Sequence, residues 1–404
     1  MTFVHAVHDK GLPRIDTSGQ GDVVTFPDDV PTLSDGLVTL RAHRPSDAEG
    51  VLEQCTDPVS IQSTTVPVPY GIEDAEAFVG ETARRAWEDG SSWMFAVEAT
   101  DDAGVPRFCG TVELRDLQGD RAEIAYGAHP WARGRGIVHR ALELLLAWGF
   151  EEQRLRAVLW LANRGNWPSR RTAWRLGFTC DATLPGWLPQ RDELLDGWIG
   201  ILHADDERKP RTTWLEVPRI AGSGVVLRPW RVEEDTDAVV EACSDERTAY
   251  WLGNMPRPYT HDDAREYLLG RGERAACGPA VRWAVADPAT DAVLGSLTLF
   301  DVKPGREAEI GYWTHPSARG RGVMTQACGL AVAHAFTPPG DGGLGLVRLI
   351  VFAAEGNAAS RHVIESNGFT LVGRERKGTQ LRDQALVDTA CYDQLVEEWV
   401  SRRV

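Results

Sequence analysis

The stretch AEIGYWTHPSARGRGVM, residues 308–324, returns in altered form as AEIAYGAHPWARGRGIV at residues 122–138. Each copy opens with apolar and polar residues in alternation, the pattern of a half-buried strand, and runs into Arg-Gly-Arg-Gly. Beyond the glycines, residues 138–150 and 324–336 carry apolar side chains at helical spacing. The stretch therefore reads as strand, Gly-rich turn and helix. Glycines at such a turn let backbone N–H groups converge on an anion, and the helix N-terminus adds the positive end of its dipole. Arg133, Arg135, Arg319 and Arg321 add charge suited to a polyphosphate. No Gly-Lys-Ser/Thr follows, so neither copy is a P-loop. No third glycine falls three residues on, so neither is a dinucleotide fingerprint.

Working outward, other matches keep the same order. Leu40-Arg41 with Arg44 matches Leu227-Arg228 with Arg231, and the P-x-P-Y loop ending at Tyr70 matches the one ending at Tyr259. Asn166 and Ser169 match Asn357 and Ser360; Gly177-Phe178 matches Gly368-Phe369; Arg191-Asp192 matches Arg382-Asp383. This is a tandem duplication of a whole domain. The reading gives an N-terminal arm over 1–34, a first domain over 35–205, a polar linker over 206–219 and a second domain over 220–404. Within each half, strands outnumber helices and run mostly in hairpins. The fold class is α+β, a mixed and mostly antiparallel sheet flanked by helices.

Composition bounds the rest. A chain of 404 residues, 43% hydrophobic and 25% charged, is globular and long enough for two cores. Its seven cysteines form no C-x-x-C pair and no ligand spacing with histidine, which points to no metal and a reducing, cytoplasmic setting. No signal-peptide pattern opens the chain and no run of 18 apolar residues occurs, so no membrane association is expected. The net charge of −16 repels phosphate backbones, so no nucleic-acid partner is expected, and it favours a cationic acceptor at long range.

Taken together and in order, these residues identify each half as resembling the GCN5-related N-acetyltransferases (GNAT), in particular the RimJ/RimL type. The carrying residues are the two opening stretches with Asn166-x-x-Ser169, Leu176-Gly177-Phe178, Asn357-x-x-Ser360 and Asn367-Gly368-Phe369. The resemblance implies two tandem acyl-CoA N-acyltransferase folds, each splayed between neighbouring central strands to form an acyl-CoA cleft. It implies acetyl-CoA, or another acyl-CoA, as co-substrate and a small-molecule or peptide amine as acceptor. The cofactor would be held by Ala128, Arg133, Gly134, Arg135, Gly136, Ile137, Val138 and Asn166 in the first half. In the second half it would be held by Thr314, Arg319, Gly320, Arg321, Gly322, Val323, Met324 and Asn357. The chain departs from the family where many members carry a tyrosine seven residues after the asparagine: Ala173 and Ile364 stand there. A serine three residues after it is the RimJ/RimL alternative as acid for the departing thiolate, which points to Ser169 and Ser360. The second half, with Gly311 and Trp313 where the first has Ala125 and Gly127, is the closer match.

The chemistry has its own requirements. An amine is mostly protonated at neutral pH and must lose a proton before it attacks a thioester. Glu123 and Glu309, on the strand entering the turn, are the candidates to take it, directly or through water. Both could instead be structural strand-end carboxylates, and Ser169 and Ser360 could simply brace a helix. His129 and His315 recur, but each precedes proline in a turn and reads as structural. Tyr70, Trp251, Tyr259 and Trp313 are candidates to line the acceptor pocket. Two further readings stay open: an acyl-CoA-binding regulatory or scaffold protein with one or both sites inactive, and an aminoacyl-tRNA-dependent transferase.

Overall fold

Alternation along residues 121–128 sends Ala122, Ile124 and Tyr126 to one side of a strand and Glu123, Ala125 and Gly127 to the other. That parity organises the first domain. In the computed structural model, which describes residues 30–402 apart from 254 and 278, the chain divides between Arg211 and Thr212 into two compact units. Most of the expected N-terminal arm, residues 1–29, lies outside the described residues.

The first unit is built on eight strands. They are β1 (Leu33–Ser34), β2 (Val38–Arg41), β3 (Ser92–Thr100), β4 (Pro106–Gln118), β5 (Arg121–Ala128), β6 (Ala157–Asn163), β7 (Ala182–Gln190) and β8 (Glu193–His203). They lie side by side in the order β1-β2-β3-β4-β5-β6-β8-β7. Its helices are α1 (Ala48–Thr56), α2 (Pro58–Ser63), α3 (Ile72–Ala77), α4 (Ala83–Glu88), α5 (Ile137–Glu151) and α6 (Trp167–Arg175). Leu142, Leu145 and Leu146 of α5 close the main core against Val112 and Leu114, while α1 and α3 pack in a second cluster with Phe108.

The second unit repeats the plan with β9 (Ile220–Ala221), β10 (Val226–Arg228), β11 (Val281–Ala286), β12 (Val293–Lys303), β13 (Glu307–Thr314), β14 (Arg348–Ala354), β15 (Thr370–Gln380) and β16 (Leu386–Leu395). Its helices are α7 (Val232–Ser244), α8 (Glu246–Trp251), α9 (His261–Cys277), α10 (Val323–Phe336), α11 (Ala358–Ser366) and α12 (Val396–Ser401). The sheet order is the same pattern counted from its own first strand. Helix α10 packs on one side with Tyr312 and Ile364, and α7 and α9 pack on the other with Trp313.

Every neighbouring pair is antiparallel except β5 with β6 and β13 with β14. Those parallel ladders are short. The first ends at Ile124↔Trp160 and the second at Glu309↔Ile350, although all four strands continue beyond. The central strands therefore part and leave an open wedge in each sheet.

Two short helices without a sequence signal, α2 and α8, stand just ahead of the P-x-P-Y loops. Six residues opened by proline or glutamate carry too little periodicity to register. The expected linker is shared out between the domains. Backbone at Glu207 and Lys209 packs against Gly177, and Leu215 sits in the second core. The Trp283 indole N–H donates to the Pro218 carbonyl at 2.9 Å.

Candidate acyl-CoA site and its catalytic residues

Gly134 and Gly136 adopt φ of +74° and +76°, and Gly320 and Gly322 both adopt +70°. A left-handed residue at the helix N-cap turns the chain sharply, and glycine does this without a side-chain penalty. The first turn of each helix then begins directly, with Arg140 N–H bonding to the Gly136 carbonyl and Gln326 N–H to that of Gly322. The N–H groups just before these have no carbonyl within the helix to take them. A Cβ placed on any of the four glycines would meet no protein atom within 4 Å. The turn thus presents N–H donors toward open space, the cradle a pyrophosphate requires. Ile137, Val323 and Met324 bury their side chains in the cores, so what each offers a cofactor is backbone. Ala128 and Thr314 close their strands opposite Gly110 and Gly295.

The arginines of the turn divide into two kinds. Arg133 reaches Asp57 at 2.6 Å and the Ser60 hydroxyl at 2.9 Å; Arg319 pairs with Asp245 and donates to Thr248 Oγ1 at 2.7 Å. Asp57 and Asp245 also cap α2 and α8, accepting from Ser60 N–H and Thr248 N–H. The hydrogen bond from Arg319 brings the Asp245 carboxyl down to about 2. These arginines hold the turn in place, and their charge is already matched. Arg135 and Arg321 are more open. Arg135 makes an exposed pair with Asp102 and lies over the Trp131 ring, and Arg321 makes no ion pair among the described residues.

Asn166 and Asn357 serve as N-caps of α6 and α11, their side-chain oxygens accepting from Ser169 N–H at 3.2 Å and Ser360 N–H at 3.1 Å. The Ser169 hydroxyl lies 2.9 Å from Tyr126 Oη and accepts from Trp160 Nε1 at 3.1 Å; that of Ser360 lies 3.1 Å from Tyr312 Oη. The tyrosines stand in the opening motif, but nothing in the sequence marks a partner more than 40 residues away.

The two glutamates differ. Glu123 is buried, and Arg115, its neighbour across β4, donates to it from Nε at 3.0 Å. In the second domain the same place across β12 is Phe300, and Glu309 has no ion pair among the described residues. Burial pushes both carboxyls above the usual range. The Arg115 guanidinium opposes this at Glu123, while nearby Asp301 reinforces it at Glu309. Gly311 makes room for the phenyl ring, since a Cβ there would lie 2.8 Å from Phe300 Cε2.

His129 and His315 are turn caps. His129 Nδ1 accepts from Trp131 N–H, which leaves the proton on Nε2 to meet Glu53 at 2.9 Å. His315 Nδ1 accepts from Ser317 N–H in the same way. Among the acceptor candidates, Tyr259 and Trp313 fall in one cluster with Trp230 and Tyr267. Trp251 lies elsewhere, its Cη2 3.7 Å from where a Cβ on Gly356 would stand. Tyr70 packs in the corresponding first-domain cluster, beside Cys55.

Among the described residues no group of three or more potential ligands could hold a metal ion, and no helix is long and apolar enough to cross a membrane. YdaF of Bacillus subtilis (strain 168), provisionally named a ribosomal N-acetyltransferase, is 29% identical over 177 residues, 43% of this chain and 91% of its own. The ribosomal-protein-serine acetyltransferase of Escherichia coli (strain K12) is 30% identical over 108 residues, 26% of this chain and 57% of its own. Among solved structures, Mycobacterium smegmatis RimJ in complex with CoA-disulfide covers 44% of this chain and 89% of its own at 21% identity, with a TM-score of 0.37. The family profile of the acetyltransferase (GNAT) domain matches twice, over residues 38–179 and 225–370. The chain belongs to the GNAT acetyltransferases and carries their domain in tandem.

Proposed function

We propose that the chain moves an acetyl group from acetyl-CoA to a primary amine by direct attack, with the chemistry in the second domain. The observation that carries this is the setting of Glu309 at the last parallel pair before the strands part, with a raised carboxyl pKa and no cationic partner among the described residues. A base must be free to bind a proton, and a carboxylate beside an arginine gives that affinity up. Acetyl-CoA supplies the acyl carbon and a thiolate leaving group. The chain's residues do the rest. Backbone N–H groups of the 320–324 turn hold the pyrophosphate, Glu309 takes the ammonium proton directly or through a water, and Ser360 faces the leaving side. Positioning contributes a large share, since an amine and a thioester held in line react readily.

For the acceptor, the ribosomal-protein names of two relatives support a protein amine, and the net charge of −16 favours one on a cationic surface. The first domain supports a second reading. Its cradle is intact, but Arg115 holds Glu123, which suits a unit that binds acyl-CoA without turning it over. Calorimetric titration of acetyl-CoA into wild type, Gly134→Glu and Gly320→Glu tests the assignment, each substitution being expected to remove one binding event. If neither reduces bound acetyl-CoA, the cradle is not the site. Thiol release across a panel of amines and amino-terminal peptides then identifies the acceptor, with Gly320→Glu expected to abolish it and Gly134→Glu to leave it standing.

A further inference from the structure

The tyrosine expected on the short helix is missing, yet each wedge has one from elsewhere. On β13, Glu309 and Tyr312 have opposite parity: the glutamate shares its face with Trp313 and the helices α7 and α9, while the tyrosine packs with α10. Tyr312 Oη lies 3.1 Å from both the hydroxyl and the carbonyl oxygen of Ser360, across the gap where β13 and β14 have separated. The first domain repeats the arrangement at 2.9 and 3.0 Å with Tyr126 and Ser169, although β6 presents Trp160 there and β14 presents Val351. The contact has survived a change of surroundings.

We propose that Tyr312 is a positioning residue and proton reservoir for the leaving thiolate, acting through the Ser360 hydroxyl. The inference rests on the wedge being the acyl-CoA site. An aliphatic alcohol is a far weaker acid than a thiol, so a serine alone is poorly matched to the transfer. A phenol, at about 10 against about 8.5 for a thiol, is a nearer match. As the carbon–sulfur bond breaks, its electron pair stays on sulfur. The Ser360 hydroxyl proton passes to that sulfur while the Tyr312 proton passes to Ser360 Oγ. The phenolate left behind takes a proton from solvent, replacing the one that left with the thiol. Burial raises the Tyr312 phenol above its ordinary value, so it stays protonated at neutral pH and is a weaker acid than a free phenol, though still stronger than an alcohol. The titratable group facing it is the Cys328 thiol on α10, itself pushed upward by burial and therefore neutral. Base and acid then address the gap from opposite faces of one strand, amine on one side and thiol on the other.

The test uses the full chain with Gly134→Glu, so that the second site is measured alone. CoA and desulfo-CoA, which lacks the sulfur, are titrated at about pH 6.5 and about pH 9.5, on either side of the thiol pKa. In the parent the thiolate keeps a donor, so CoA outbinds desulfo-CoA at the higher pH. Tyr312→Phe and Ser360→Ala are expected to lose that preference, about 10-fold in Kd for one charge-assisted hydrogen bond, and to match the parent at the lower pH. Turnover with acetyl-CoA should fall by about 100-fold in kcat with little change in KM. Equal weakening at both pH values, or kcat within about 3-fold of the parent, overturns the relay and leaves the acyl-CoA site standing. Absence of CoA binding in the parent overturns the functional reading, and the relay with it.

Discussion

Replacing Gly322 with alanine separates what the Gly-rich turn does for the fold from what it does for a ligand. The added methyl meets no protein atom within 4 Å, so its structural cost is that of a left-handed non-glycine residue at φ +70°. That cost is about 1–2 kcal/mol, partly offset by about 0.4–1 kcal/mol of lost freedom in the unfolded chain. The melting temperature should therefore fall by only about 2–4 °C for a domain of this size. The same methyl enters the open space beside the turn, where a phosphate held by its N–H groups would lie. Losing one or two hydrogen bonds to a charged phosphate, at about 1.5–3 kcal/mol each, weakens acetyl-CoA binding by about 100-fold or more. Gly305 is the control, because it has φ +68°, equally open surroundings, and a place at the opposite end of β13 from the cradle. Calorimetry and thermal unfolding of both variants, each on Gly134→Glu, give the comparison. Similar stability losses with binding lost only in Gly322→Ala are expected. If Gly305→Ala weakens binding as much, or Gly322→Ala leaves it intact, the cradle argument is refuted.

Glu309→Gln should lower kcat by about 100-fold or more, with acetyl-CoA affinity retained, whereas Glu123→Gln should leave turnover within about 3-fold; steady-state thiol release decides. Asp235→Ala should destabilise the second domain by about 3 kcal/mol, measured by urea unfolding. It strips the bidentate partner from Arg228, whose side chain is only 3% exposed. Acid should weaken the first domain through His43, which is buried and hydrogen-bonded to Thr111, with a pKa lowered to about 4 by burial despite Asp47 nearby. The unfolded chain binds this proton first, so the contribution is complete above about pH 6.5 and falls as pH drops toward 4, by about 3 kcal/mol in all. His43→Leu should flatten that part of the pH–stability curve; an unchanged slope would acquit His43.

The cradle and the duplication were legible because glycine at a left-handed N-cap is hard to replace, and the residues that need it sit side by side in the chain. What determines the state of the two glutamates was not. Arg115 and Phe300 face them only through the register of a hairpin, and spacing does not set that register when a bulge intervenes between 115 and 118 or between 300 and 303. Tyr126 and Tyr312 stood in the quoted motif without a role, since each finds its serine on a helix from a later part of the chain. The aspartates that anchor Arg133 and Arg319 escaped with the six-residue helices they cap. Long-range pairing was the common element of what stayed hidden.

The faces of β5 and β13 that carry Glu123 and Glu309 are filled by different pairs. Gly127 lies under the Gln54 amide, where the second domain packs Trp313 with Ala242. Ala125 accompanies Arg115, where Gly311 accompanies Phe300. Neither member of a pair can be transplanted alone: a tryptophan at 127 would collide with Gln54, and a glycine at 313 would leave a hole beside Ala242. Each face is thus inherited as a linked set, and single substitutions between the copies pass through a damaged intermediate. Anyone grafting this face of one half onto the other should move Gln54 with Gly127 and Arg115 with Ala125 in one step. The duplication itself supplies the parts list for such a chimera.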